Sequence, residues 1–276
     1  MTALFEGLFD DAALFPPGEA PMAAAVPAHR ELVSRLGSLV GPFVVPAARL
    51  DELVCGLGDG DPLDVSVICS AGALPTAVGR VTTDPRLTLV AAEVPAVVSA
   101  SLARQVVRVL DDVLPADVPV AVELPRTDAR DEVIDVLALT RYRAKLRTGG
   151  LRAELFPAPD ELAGTLSACV SRGIAVKCTA GLHGAVRHTD PVTGFTHHGF
   201  LNVLAAIDAL TAGCPASAWL EEEDGAALAS ALRTWSPDRT ARARAVFTSF
   251  GTCSIIEPVD DLVHLGLLPF LERTPA

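Results

Sequence analysis

Short apolar, β-branched runs alternate with longer amphipathic stretches along the chain, with Gly, Pro and Asp between them. A parallel strand can return to its neighbour only through a crossover long enough for a helix, so this alternation points to repeated βα units around one sheet. Eight strands are predicted, at 4–9, 42–45, 64–69, 87–94, 118–124, 143–146, 174–178 and 245–250. Helices are predicted at 22–36, 101–114, 128–139, 159–172 and 200–211. Ser101 and Asp128 stand where N-caps are wanted, and Pro159 and Asp160 suit a first turn. A loop over 181–199 and an extra helix over 221–235 interrupt the last third, and 258–265 supplies a closing helix. The near-repeat of LVAAEVP and VAVELP suits neighbouring units of one barrel. The fold expected is α/β, a (β/α)8 TIM-type barrel formed by one domain over 1–276, with an inserted loop and helix between strands seven and eight. An open doubly wound sheet is the competing architecture, but no G-x-G-x-x-G follows the first strand.

A chain of 276 residues that is 50% hydrophobic can bury a large core. Its 34 acidic against 22 basic residues leave a net charge of −12, and only 5% are aromatic. There is therefore no basic stripe or stacking platform for nucleic acid, and the charge repels anionic membranes. Small molecules are the expected partners; a homo-oligomer stays open. The opening MTALFEGLFDDAALFPPG has no basic segment or uninterrupted apolar stretch, so a cytoplasmic location is expected. Six scattered cysteines, Cys55, Cys69, Cys169, Cys178, Cys214 and Cys253, form no C-x-x-C pair and read as reduced, mostly buried thiols.

In a parallel barrel the reactive groups come from the carboxyl ends of strands and the loops after them. The chain has only two lysines against twenty arginines, Lys145 and Lys177, and both lie near the ends of consecutive predicted strands, in AKLRTGG and VKCTAGL. Lysine offers what arginine cannot, a deprotonatable primary amine that forms a Schiff base with a carbonyl. Neighbouring ammonium groups in a desolvated mouth are expected to depress each other's pKa and leave one neutral. Glu93 and Glu123 end two earlier strands, where they can pair with the lysines or exchange protons with an intermediate. Arg147 shares the face of Lys145 and offers a fork for a substrate carboxylate or phosphate. The TSFGTCS turn places Ser249, Gly251, Thr252 and Ser254 where a phosphate nest is common, with Gly149, Gly150 and Gly181 able to complete it. Asp10 and Asp11 sit at a possible first-strand end. Glu221 to Asp224 read as a solvated helix start, and Glu257 as a helix-start residue favoured by the dipole.

The motifs Lys145-Leu146-Arg147-Thr148-Gly149, Lys177-Cys178-Thr179-Ala180-Gly181 and Gly251-Thr252-Cys253-Ser254 resemble, in order and strand placement, those of the deoxyribose-phosphate aldolase family, which are class I aldolase barrels. That resemblance implies Lys145 as the Schiff-base nucleophile, Lys177 as its pKa-lowering neighbour and an acidic residue of an earlier strand as proton carrier. Thr148 and Thr179, in the same strand-end segments, are further candidate substrate contacts. Arg147, Leu182 after Gly181, and the long insertion before the last strand depart from that pattern. The wider string FDDAALFPPG, KLRTGG, KCTAGLH, HGFLN and SFGTCS also resembles a bacterial protein family of uncharacterised activity, which implies no particular reaction.

The insertion carries His183, His188, His197 and His198, four of the six histidines within sixteen residues. Their spacings match no helix-borne metal motif, so a lid is preferred and no metal is assigned. His183 can serve in acid/base catalysis or hydrogen-bond the substrate, and His197 or His198 can enter on closure. The expected function is a Schiff-base-forming, aldolase-type lyase acting on a small carbonyl substrate that bears phosphate or carboxylate, with no cofactor. Two alternatives stand beside it. One is a metal-dependent hydrolase or lyase using the 183–198 histidines with Glu93 and Glu123. The other is a non-catalytic barrel that binds a phosphorylated metabolite.

Overall fold

The computed structural model describes residues 2–58 and 60–269. Seven strands come first: β1 (Phe9–Asp11), β2 (Val40–Pro46), β3 (Leu63–Ile68), β4 (Leu87–Val94), β5 (Val120–Glu123), β6 (Arg143–Arg147) and β7 (Val176–Thr179). A small antiparallel hairpin, β8 (His188–Thr189) with β9 (Thr196–His197), follows them, and β10 (Phe247–Thr252) comes last. All strands but the hairpin pair in parallel and close in the order β1-β2-β3-β4-β5-β6-β7-β10, with β10 returning to β1. The protein is a (β/α)8 TIM-type barrel, as the alternation predicts.

The outer layer contains α1 (Met22–Leu36), α2 (Leu50–Gly56), α3 (Leu74–Thr82), α4 (Ala100–Val113), α5 (Arg130–Leu137), α6 (Pro159–Ser171) and α7 (Phe200–Thr211). Three further helices, α8 (Ser217–Glu221), α9 (Gly225–Arg233) and α10 (Pro237–Val246), precede β10, and α11 (Ile256–His264) follows it. Among the described residues no helix is long and apolar enough to cross a membrane. Phe200 to Ala209 of α7 are all buried, because α6, α8, α9 and α10 pack around it. Phe200 also packs with Phe9 and Phe250 at centroid distances of 5.7 and 5.2 Å, and so covers the β1–β10 seam.

Several boundaries differ from expectation, each for a physical reason. The apolar run at 4–9 is not the first strand. Leu4, Phe5 and Leu8 are buried in a 3-10 turn and its exit, and the strand is the polar Phe9–Asp11. The cap of α4 is Ser99, whose side chain accepts from Leu102 N–H, so Ser101 is the second residue of the helix rather than its cap. Ala129 rather than Asp128 precedes α5. The helix expected over 221–235 is broken at 222–224, where Asp224 caps α9 through the N–H groups of Ala226 and Ala227. Of the cysteines, Cys69, Cys169 and Cys178 are buried, Cys253 is half-buried, and Cys55 and Cys214 are exposed.

Candidate active site

The main hydrophobic cluster lies between strands and helices; the barrel's interior is different. Strand register places Val44 beside Ser66, Ser66 beside Ala91, Glu93 beside Ala121, Glu123 beside Lys145, Lys145 beside Lys177, and Lys177 beside Ser249. In-register neighbours of a sheet share a face, so Glu123, Lys145 and Lys177 stand side by side on one arc of the barrel and the smaller Val44, Ser66 and Ala91 on another.

Those ionisable groups form a chain of alternating charge. Asp10 Oδ2 lies 2.5 Å from Lys177 Nζ, which lies 2.5 Å from Glu93 Oε1. The second oxygen of Glu93 is 2.8 Å from Lys145 Nζ, and Lys145 is 3.3 Å from Glu123 Oε2. Glu123 in turn accepts from Arg147 Nε at 2.9 Å. Ser249 donates to Asp10 at 2.9 Å, and Ser66 stands 3.4 Å from Glu93. Asp10, Glu93, Glu123 and both lysines are at most 6% exposed, whereas the Arg147 side chain is 37% exposed. The two rare lysines therefore do converge, on one carboxylate between them. A Cβ on Gly41 would collide with Asp10 Oδ1, so glycine at that point of β2 leaves room for the Asp10 carboxylate.

Protonation departs from expectation. Burial disfavours the Lys177 ammonium, but Asp10 and Glu93 together outweigh burial and hold its pKa above the ordinary lysine value. Lys177 is thus not depressed as expected, and Glu93 is interposed between it and Lys145. Burial alone would raise Glu93, but Lys177 and Lys145 overcome it and bring its pKa down to about 2. Asp10 goes the other way, since burial outweighs its pairing with Lys177 and lifts its pKa above the usual carboxylate value. Within the charge chain Asp10 is thus the stronger base and Glu93 the fixed anion.

The glycine-rich segments knit the mouth. Thr148 N–H donates to Thr179 O at 3.0 Å, and its hydroxyl donates to Ala180 O. Beside them Gly149 lies against Gly181, where a Cβ would stand 2.7 Å from Gly181 Cα and 2.7 Å from the Phe156 ring. Gly149→Ala is expected to cost about 1–3 kcal/mol by overpacking, read as a lower urea midpoint with unchanged slope. Gly150 abuts Leu155, and Gly251 stands in open contact with Ala12 and Thr179. The Thr252 hydroxyl donates to Ser254 O at 2.9 Å, closing the last turn on itself.

The histidines spread around the rim. His183 lies 3.6 Å from Glu257 and 3.7 Å from Cys253 Sγ, and burial, with His197 and His188 nearby, holds its pKa below the ordinary value. His197 meets Gly181 O at 3.1 Å and stacks on His188 at 5.2 Å. His198 is buried, with Nε2 2.8 Å from Pro157 O. Among the described residues no three His, Cys, Asp or Glu side chains are placed to hold a metal ion. Two further polar groups near β1 escaped sequence reasoning: His29 of α1, with Nδ1 2.9 Å from Asp11 Oδ2, and the pairing of Asp10 with Lys177. The adjacent Asp10 and Asp11 carried a signal, but only strand alternation sends one inward and the other toward α1. No protein-family model and no curated protein matches the chain, so what its site does is argued from the geometry of these side chains.

Proposed function

We propose that the protein is an enzyme that makes or breaks a carbon–carbon bond through a lysine imine on Lys145, with a small carbonyl compound bearing carboxylate or phosphate as substrate. The observation carrying this reading is the pair of scarce lysines joined through Glu93 inside the barrel, near the end where such folds do chemistry. Lys145 is favoured over Lys177 as nucleophile because Lys177 is clamped at 2.5 Å by two carboxylates. Lys145 has one close partner, and its second, Glu123, is shared with Arg147.

Arg147 is the most exposed member of the charge chain, and its guanidinium suits the substrate's anionic group. Drawing Arg147 from Glu123 leaves Glu123 to Lys145 alone. The proton on Lys145 leaves through the bridging Glu93 carboxylate toward Lys177 and Asp10, a carboxylate whose burial favours its protonated form. The neutral amine attacks the carbonyl carbon, the oxygen collects protons and departs as water, and an iminium remains. In the cleavage direction the bond beta to that carbon then breaks, its electron pair flows to nitrogen to give an enamine, and the hydroxyl on the leaving fragment surrenders a proton to a base.

Borohydride trapping tests this directly. Incubation with small aldehydes and ketones carrying phosphate or carboxylate, followed by reduction, is expected to leave a stable adduct mapped to Lys145 by peptide mass spectrometry. An adduct confined to the amino terminus, or none from any carbonyl that the enzyme turns over, would defeat the proposal.

A further inference from the structure

The charged interior also opens at the opposite end. A cavity of about 240 Å³ is lined by Gly7, Pro119 and Arg143, at or before the amino ends of β1, β5 and β6, and by Pro42 and Val90 in the amino-terminal halves of β2 and β4, and reaches inward to Asp10, Glu93 and Lys177. That pole is where a barrel of this type carries no chemistry, yet here it leads to the most tightly held ion pair in the molecule. We propose that this amino-terminal pole binds a small oxyanion, phosphate-like or carboxylate-like, held by Arg143.

Charge balance is the first argument. Arg143 precedes Lys145 by two residues on the same face of β6, and among the described residues no carboxylate lies within 4 Å of its guanidinium. Arg126 and Arg130, which line the larger cleft of about 470 Å³ between α5 and α6, are by contrast tied to Glu161 and Asp131. A second arginine reinforces the excess. Arg244 donates from Nη2 to Glu6 O and Thr248 O, both at 2.8 Å, and Thr248 lines the cavity. Its Nη1 is buried with no hydrogen-bond partner. Burial lowers the pKa of Arg143, with Asp10 only partly opposing, and brings that of Arg244 down to about 10. Two half-buried guanidinium groups and the Lys177 ammonium thus face Asp10 and a Glu93 already shared with Lys145. Buried cations without counter-charges are costly, and a planar fork with free donors is the group that takes up an oxyanion.

Size is the second argument. Pockets for drug-sized ligands run from about 300 Å³ upward, so this cavity suits an ion or a metabolite of few heavy atoms. The site does not rest on the imine reading and would stand if that failed.

Calorimetric titration with inorganic phosphate, at ionic strength matched with potassium chloride, tests it on the whole protein, with acetate and sulfate titrations separating carboxylate from tetrahedral preference. Saturable phosphate binding is expected to persist in Arg147→Gln, which removes the guanidinium proposed for the substrate's anionic group, and in that background Arg143→Gln is expected to weaken it at least tenfold. Arg143→Lys keeps the charge without the fork and is expected to bind at least threefold more weakly, which covers the case in which the glutamine variant does not fold. Unchanged affinity in the folded variants at 143, loss of binding in Arg147→Gln, or no saturable signal above the chloride control would each overturn the proposal.

Discussion

Replacement of Lys145 by methionine or by arginine is expected to lower kcat/KM on any substrate the enzyme accepts by on the order of 10⁶-fold, the scale on which enzymes lose rate when a covalent nucleophile is removed. Neither side chain can form an imine, so reductive trapping should vanish along with turnover. Lys145→Met leaves Glu93 with Lys177, and Glu123 with Arg147, so each carboxylate keeps a cation and the fold should survive. Lys177→Met is expected to act differently. It should slow trapping without abolishing it, because Lys177 holds protons and position while the bond to carbon forms elsewhere. Steady-state rates and the adduct mass, measured on both variants, separate nucleophile from neighbour. Equal loss of adduct in the two would reverse their roles.

Glu93→Leu is expected to be strongly destabilising, by about 3–5 kcal/mol, since it removes the carboxylate between two buried ammonium groups and leaves Lys177 to Asp10 alone and Lys145 to Glu123 at 3.3 Å. Urea unfolding at neutral pH measures it, and Lys145→Met, which strands no charge, should cost less. The pH dependence has a definite sign. The Glu93 pKa falls from an ordinary 4.5 to about 2 on folding, so its contribution is fully present above about pH 4.5 and is lost as pH falls toward 2. Lys177 is raised from its ordinary 10.5, so its contribution is complete below that value and disappears only as pH climbs past it. Asp10, held up by burial, works against the acid loss, because its protonated form is favoured by the fold. The stability gap between wild type and Glu93→Leu should therefore be widest between about pH 5 and 10 and should narrow in acid. A gap that is constant down to pH 2 would mean that Glu93 is not the anion joining the lysines.

Periodicity made the barrel legible because central parallel strands such as Leu87–Val94 are apolar, β-branched and bounded by turn residues. It failed where those conditions lapse. The first strand is three residues long and two of them are aspartates, so the apolar run before it attracted the assignment. The helix Leu74–Thr82 buries Leu74, Ala77 and Val81 on one face, but it is only nine residues long and contains Pro75, Gly79 and two threonines, while Pro237–Val246 is polar nearly all round and shows no clear apolar stripe. Lys145 and Lys177 stood out through scarcity, and Glu93 and Glu123 through their place at strand ends. What alternation along one strand cannot show is which charges meet across a barrel. The bond between Lys177 and Asp10 joins positions 167 residues apart, and only closure of the sheet brings them together. The tight hydrogen bonding of Thr148, and the packing of Gly149 on Gly181, are likewise contacts between two loops that neither loop encodes alone.

The aromatic seam has a consequence for assembly. Phe9 and Phe250 meet edge to face at 5.5 Å under Phe200, where the shortest strand of the barrel joins the last one. Until that seam shuts, Lys177 lacks one of its two anions, so a nascent chain released before β10 would carry an unfinished charge chain however well its other units had formed. Closure of the charge chain and completion of the ring are one event, and the quenching of a lysine-directed label at position 177 would time it.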